Sequence, residues 1–355
     1  MRILHVITSL QTGGAEHLLV DLLPLLRDHG RNRVDLLLFD GSNTPFMDEI
    51  RAKGIKVYKL GVGGNVYSPL NVFKMVEYMA QYDIIHTHNT ACQFFAPMAK
   101  SLSFTRKPLI TTEHSSNNRR RSNRFLKPAD KWMYSRYARI ICISEQTRKN
   151  LEDYIGKKEN ICTICNGVDT QRFIRPIKEI SGQGDFVVTM VAGLRMEKDH
   201  ETLLRAMTRL PRNYRLQIVG SGDKEQALKA LCNELKLDDR VDFMGVRMDV
   251  PDILEQSDIV VLSSHWEGLS LSSIEGMASG RPFIASDVDG LREVVEGAGL
   301  LFPHGDDQRL AQEIMQLCEN PQFYKEVAIK CQQRAKQFDI SVMAKQYVNL
   351  YKSLT

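Results

Sequence analysis

Short runs of β-branched and apolar residues alternate along this chain with longer stretches whose apolar positions recur every three or four residues. That alternation predicts parallel sheets joined by crossover helices. In the first half the strand-like runs fall at 3–7, 34–39, 55–60, 83–87, 109–111, 140–143 and 161–165. The rhythm stops over 166–185, a stretch holding Gly, Pro and charge without period, which reads as a linker with its boundary near 175–184. It restarts with runs at 186–192, 215–219, 241–244, 258–262, 283–286 and 300–302. From Asp306 onward no strand-like run follows, and Val342, Met343, Tyr347, Leu350 and Tyr351 lie at helical spacing. The expected architecture is α/β: two Rossmann-like doubly wound domains, 1–178 and 184–335, facing across a cleft, with a helix in 336–355 packing back on the first.

Length agrees, since 355 residues suit two domains of roughly 150 to 180 residues each. With 43% hydrophobic and 25% charged residues the composition is that of a folded globular chain. Seven scattered cysteines, odd in number and mostly inside apolar runs, argue against a disulfide framework. The N-terminal stretch lacks a signal-peptide pattern, and no run reaches the ~20 apolar residues of a membrane span. A cytoplasmic protein is expected. The net charge of +4 is uneven: Arg119, Arg120, Arg121, Arg124 and Lys127 crowd one segment.

Candidate chemistry sits where strands run into helices. After the first strand come Gly13 and Gly14, whose backbone can approach an anion at a helix start. The dinucleotide fingerprint GxGxxG is absent, which speaks against a dehydrogenase. Arg195 and Lys198 follow the first strand of the second half, a ligand-facing position in open α/β sheets, and two cations suit a diphosphate. Val246 and Arg247 follow another strand there and carry a weaker signal. The densest segment is 263–278, in which Glu267 precedes a short helix starting near Ser270 and Glu275 lies inside it. Glu275 comes eight residues after Glu267, which at helical rise is on the order of 10 Å. That span suits one carboxylate on sugar hydroxyls and the other on a ribose diol, with helix N–H groups between them; two plain surface glutamates and a general acid/base pair are the other readings.

Together the run from Val191 to Leu204, the Glu267/Glu275 pair, Asn166-Gly167-Val168-Asp169 and Thr12-Gly13-Gly14-Ala15-Glu16 resemble the family 4 retaining glycosyltransferases of the GT-B fold, over essentially the whole chain. The resemblance implies Arg195 and Lys198 on the donor diphosphate, and Glu275 on the ribose. It places Glu267 with the backbone of Gly268, Leu269, Ser270 and Leu271 on the transferred sugar, and Gly13 and Gly14 on the phosphates. It also puts His114, in Thr111-Thr112-Glu113-His114, beside the anomeric carbon, and it argues against the acid/base pair. Many members have an aromatic or glycine-rich sequence between the two glutamates, where this chain has Ser270, Ser272 and Ser273. The implied reaction moves a hexosyl or N-acetylhexosaminyl group from a nucleotide diphosphate sugar, UDP-linked by expectation, with retention of configuration. The departing phosphate itself takes the acceptor proton.

Other signals are set aside. Cys162 and Cys165 form an isolated CxxC within a strand, and His86 with His88 share a strand face with no third ligand near in sequence. Asp287-Val288-Asp289 resembles a metal-binding DxD, yet Arg195 and Lys198 already supply positive charge, so no essential metal and no cofactor are expected. The basic run, interleaved with Phe125 and Leu126, reads equally as a bland loop or a surface for anionic lipid or lipid-linked phosphate, with nucleic acid well behind. The expected acceptor is a saccharide, polyprenyl-diphosphate-linked, in surface polysaccharide assembly, which would put the enzyme peripherally at the inner membrane face. A nucleotide-sugar epimerase and a non-catalytic binding module are the competing classes.

Overall fold

The computed structural model describes residues 1–11, 13–114 and 123–355. The chain divides into two compact units, one of Met1–Gly167 with Ile340–Thr355 and the other of Val168–Asp339.

The first unit runs β1 (Arg2–Ile7), α1 (Gly14–Gly30), β2 (Arg33–Leu38), α2 (Pro45–Ala52), β3 (Lys56–Lys59), α3 (Leu70–Met79) and β4 (Ile84–His88). It continues with α4 (Thr90–Leu102), β5 (Leu109–Glu113), α5 (Lys127–Ser135), β6 (Arg139–Cys142), α6 (Glu145–Ile155) and β7 (Ile161–Thr163). Its sheet has the order β3-β2-β1-β4-β5-β6-β7, parallel throughout. Strand order reverses between β1 and β4, where open α/β sheets form their ligand crevice at the carboxyl ends of the strands. Strands buried on both faces explain the continuous apolar runs of the sequence.

The second unit comprises β8 (Phe186–Val191), α7 (His200–Arg209), β9 (Tyr214–Val219), α8 (Glu225–Glu234), β10 (Val241–Gly245) and α9 (Val250–Gln256). Then come β11 (Ile259–Leu262), α10 (Leu271–Ala278), β12 (Phe283–Ser286), α11 (Leu291–Val295), β13 (Leu300–Phe302), α12 (Asp307–Glu319) and α13 (Pro321–Ala335). Its parallel sheet has the order β10-β9-β8-β11-β12-β13, so the reversal lies between β8 and β11. Every strand expected from the sequence is present. Among the described residues no helix is long and apolar enough to cross a membrane.

The boundaries differ from those expected, for two physical reasons. Residues 168–178 are bonded to the second unit rather than slack: Val168 N–H donates to Phe338 O at 3.0 Å and Lys178 N–H to Gly280 O at 3.2 Å. Arg281, buried, donates to Pro176 O at 3.2 Å, and Gln332 to Arg175 O at 2.8 Å. The last helix, α14 (Ile340–Lys352), belongs to the first unit and packs on α1. Its buried face is Ile340, Met343, Ala344, Tyr347, Val348 and Tyr351. Val342, expected on that face, is exposed, because the apolar stripe begins two residues earlier at Ile340.

Candidate functional site

In the second unit the carboxyl ends of β8 and β11 bring Lys198 and Glu267 together. Lys198 Nζ donates to Glu267 Oε1 at 2.5 Å, and Ser264 Oγ donates to the same oxygen at 2.7 Å. Both side chains of the pair are mostly shielded, at 19% and 10% exposure, so solvent screens them weakly. The two loops are tied by His265 N–H to Glu197 O at 2.8 Å and Ser263 Oγ to Asp199 O at 2.7 Å. Asp199 caps α7 through Thr202 N at 3.2 Å and Thr202 Oγ1 at 2.6 Å, which fixes the end of the loop that carries Lys198. Arg195, by contrast, is exposed, and Met196 beside it likewise.

Helix α10 begins where the sequence placed it. Ser270 is its N-cap and accepts from Ser273 N–H at 3.4 Å, so Gly268–Leu271 lead the backbone into the positive end of the helix. Ser273 Oγ donates to Ser270 O at 2.7 Å and Ser270 Oγ pairs with Ser272 Oγ at 3.1 Å. The serines between the two glutamates thus tighten the first turn, an effect that their polarity alone does not disclose. Leu269 is buried, and Glu275 lies half-buried on α10. Gly290, at φ +81°, rests on this turn: a Cβ there would stand 2.6 Å from Glu267 O and 2.7 Å from Gly268 O.

Val246 is 71% exposed, and Arg247 is engaged by Asp249 at 2.8 and 2.5 Å. Asp287 accepts from Arg292 at 2.6 Å, so the DxD-like pair has its own cation.

In the first unit His114 follows β5 at the edge of a cavity of about 310 Å³ lined by Thr8, Tyr67, Asn89, Gln93, Glu113 and others. Its Nε2 meets His88 Nδ1 at 2.9 Å, and its buried Nδ1 has no partner among the described residues. Burial pushes this imidazole down to about 4, so it stands neutral at physiological pH. Beside it Glu113 accepts from Gln93 Nε2 at 2.6 Å and Tyr134 OH at 2.7 Å. Asn89, at φ +65°, donates to Thr8 Oγ1 at 3.1 Å. Glu113, Gln93 and Asn89 were not singled out in the sequence; a charged residue ending the buried strand Leu109–Glu113 is the signal that finds Glu113.

Gly13 caps α1 in extended backbone, but the Glu16 carboxylate folds back over it and occupies the position a Cβ would take. Glu16 Oε1 also lies 3.5 Å from Asn89 Nδ2. An anion approaching Gly13 and Gly14 therefore meets a carboxylate at the positive end of the helix. Thr12 and Arg119, Arg120 and Arg121 lie outside the described residues. Lys127 stands over the Tyr154 ring at 5.3 Å, and Arg124 begins a short 3-10 turn through Leu126.

Among the described residues two groups bring potential metal ligands together. The third histidine missing from the local sequence around His86 and His88 is His5, on β1, and ligand atoms of the three lie within 4.8 Å of one another. Each of their ring nitrogens, however, already has a hydrogen-bond partner. The other group is Asp199, His265 and His304. There His265 Nδ1 and His304 Nε2 approach to 2.5 Å, a hydrogen-bond distance, whereas two imidazoles on one tetrahedral zinc stand about 3.4 Å apart.

Residues 171–338 match the family model for glycosyl transferases group 1, and residues 12–172 that for glycosyltransferase family 4. A putative glycosyltransferase, EpsD, of Bacillus subtilis is 28% identical over 296 residues, spanning 77% of each chain. The UDP-Gal:alpha-D-GlcNAc-diphosphoundecaprenol alpha-1,3-galactosyltransferase of Escherichia coli is 26% identical over 309 residues, 76% of this chain and 79% of that one. Among solved structures, Anabaena HepE in complex with UDP and glucose superposes with a TM-score of 0.86 at 25% identity, over 100% of both chains.

Proposed function

We propose, from the premise that the chain belongs to the family 4 glycosyltransferases and has their two Rossmann-like units, that its donor is a UDP-sugar and that the transfer retains configuration. The observation that carries the reading is the Lys198–Glu267 pair at the strand-order reversal of the second unit, directly before the N-terminus of α10. Glu267 holds one of the three protons of the Lys198 ammonium and leaves two for a diphosphate. The start of α10 adds N–H groups where charge builds on the departing phosphate. Arg195, exposed and without a side-chain partner among the described residues, completes the clamp when a diphosphate arrives. Glu275 takes the ribose diol, and Glu267 with the 268–271 backbone takes the sugar. Lysine, arginine and helix dipole supply the positive charge, so the reaction proceeds without an essential metal. His114 contacts the transferred group through Nδ1.

Lys198→Ala and Glu275→Ala are expected to abolish transfer of a hexosyl or N-acetylhexosaminyl group while the far-UV spectrum and melting temperature stay near wild type. UDP titration by calorimetry should show affinity down roughly tenfold or more, the worth of a charge-assisted contact. Wild-type turnover in either variant would sink the donor assignment.

The acceptor is a saccharide on a polyprenyl diphosphate, as in the Escherichia coli relative. In support, Phe125 is 92% exposed and Leu126 and Trp132 are partly so, among Lys127, Lys131 and Arg136. Such a surface suits peripheral contact with anionic lipid at the inner face of the membrane, for which co-flotation with vesicles is the measurement.

A further inference from the structure

A continuous hydrogen-bonded chain runs through the core of the first unit, from α14 to the cavity. Tyr347 OH meets Thr112 Oγ1 at 3.2 Å, and Thr112 Oγ1 meets His86 Nε2 at 2.8 Å. His86 Nδ1 meets Tyr351 OH at 2.7 Å, and Tyr351 OH meets His5 Nε2 at 3.4 Å. His5 Nδ1 meets His88 Nε2 at 3.0 Å, and His88 Nδ1 meets His114 Nε2 at 2.9 Å. The chain lies at the strand-order reversal, with His5 and His86 register partners across β1 and β4. Burial keeps the four imidazoles neutral.

A neutral imidazole has one donor and one acceptor nitrogen, and a hydroxyl has one proton. Every link therefore constrains the next, and with the buried protons of Thr112 and Tyr351 both bonded within the chain only two directions are consistent. The reverse direction, from His114 to Tyr347, strands the Tyr347 proton inside the core, whereas the forward one leaves the unpaired proton at His114, beside the cavity, where a ligand can accept it. Thr112 is the one hydrogen-bond partner of Tyr347 among the described residues, so the buried Tyr347 proton is satisfied only by donating there. Thr112 then donates to His86 Nε2, His86 Nδ1–H to Tyr351, Tyr351 to His5 Nε2, His5 Nδ1–H to His88 Nε2, and His88 Nδ1–H to His114 Nε2. His114 is left with its proton on Nδ1, the buried atom without a partner among the described residues.

We infer that Tyr347, Thr112, His86, Tyr351, His5 and His88 are positioning residues that hold His114 as the Nδ1–H tautomer, a fixed hydrogen-bond donor to an oxygen of the substrate. The inference rests on the proposed role of His114 only for its kinetic consequence. The test is the ring ¹⁵N spectrum of histidine-labelled protein at pH 7.5, with His114 assigned from the spectrum of His114→Ala. The wild type should show His114 protonated at Nδ1 and bare at Nε2. Tyr347→Phe keeps the packed ring and removes the anchoring proton, and Thr112→Val keeps the shape and cuts the chain. In each, the His114 shifts should move toward a mixture or toward Nε2–H, and kcat should fall about two- to tenfold, the worth of one aligned hydrogen bond, with the donor KM within about twofold. A wild-type His114 protonated at Nε2, or shifts unchanged in both variants, overturns the inference. Full transfer by His114→Ala would instead defeat the proposed role of His114, and the ring shifts would still decide the tautomer chain.

Discussion

At the scale of the residue, Gly290 packs against the turn proposed to hold the donor. Its left-handed φ is one cost to any replacement, and the carbonyls of Glu267 and Gly268 that a Cβ would meet are another. Gly297 separates the two, because it has φ +78° with open space around it. Gly290→Ala is expected to lower stability by about 1–3 kcal/mol and to weaken UDP binding, whereas Gly297→Ala carries only the conformational cost. Thermal melts with and without UDP check this; equal donor affinity in the two variants would count against a role for Gly290 in shaping the turn. Glu267, Glu275 and Lys198 were legible in the sequence because they flank strand ends and a cap signal, which are local. The histidine chain was not. His5 lies 83 residues from His88, and Tyr351 lies 265 residues from His86, so only folding shows that they touch.

At the scale of the element, strands were easy to read and helix phases less so. Doubly buried strands announce themselves as apolar runs, whereas the face of α14 depends on where the helix begins: Ile340 and Ala344 are buried and Val342 is not. The segment 168–178 looked like a linker because its sequence has no period, yet its backbone is held by Gly280, Arg281 and Gln332 from distant positions. The segment that leads into α5 has the opposite character, with Phe125 almost wholly in solvent. Phe125→Ser is expected to reduce co-flotation with vesicles rich in anionic lipid severalfold, each lost apolar contact with the bilayer being worth about 1–2 kcal/mol. Equal flotation of variant and wild type would remove the membrane assignment.

At the scale of the whole molecule, buried neutral histidines set the dependence of stability on pH. Burial lowers His5 to about 3 and His114 and His200 to about 4, and drives His86 and His88 well down too. The unfolded chain titrates near 6.5, so between that value and the folded ones it binds more protons than the native state, and stability rises with pH across the window. Stability is thus full above about pH 7 and is lost as pH falls toward 4, each ring removing about 1.4 kcal/mol per pH unit below roughly 6. Urea midpoints between pH 7.5 and 5 should fall steadily; a flat profile would contradict the neutral histidine core.

The first unit takes its last helix from the far end of the sequence, and that has a consequence in time. A chain made from its N-terminus folds its units as they emerge. Residues 1–167 can form a sheet early, but His5 and His86 wait for the Tyr351 hydroxyl until α14 has been synthesised. During that interval the second unit is synthesised, and α1 of the nascent first unit lacks the helix that packs on it. The first unit, which carries His114, is therefore complete only after the whole of the second unit has been synthesised.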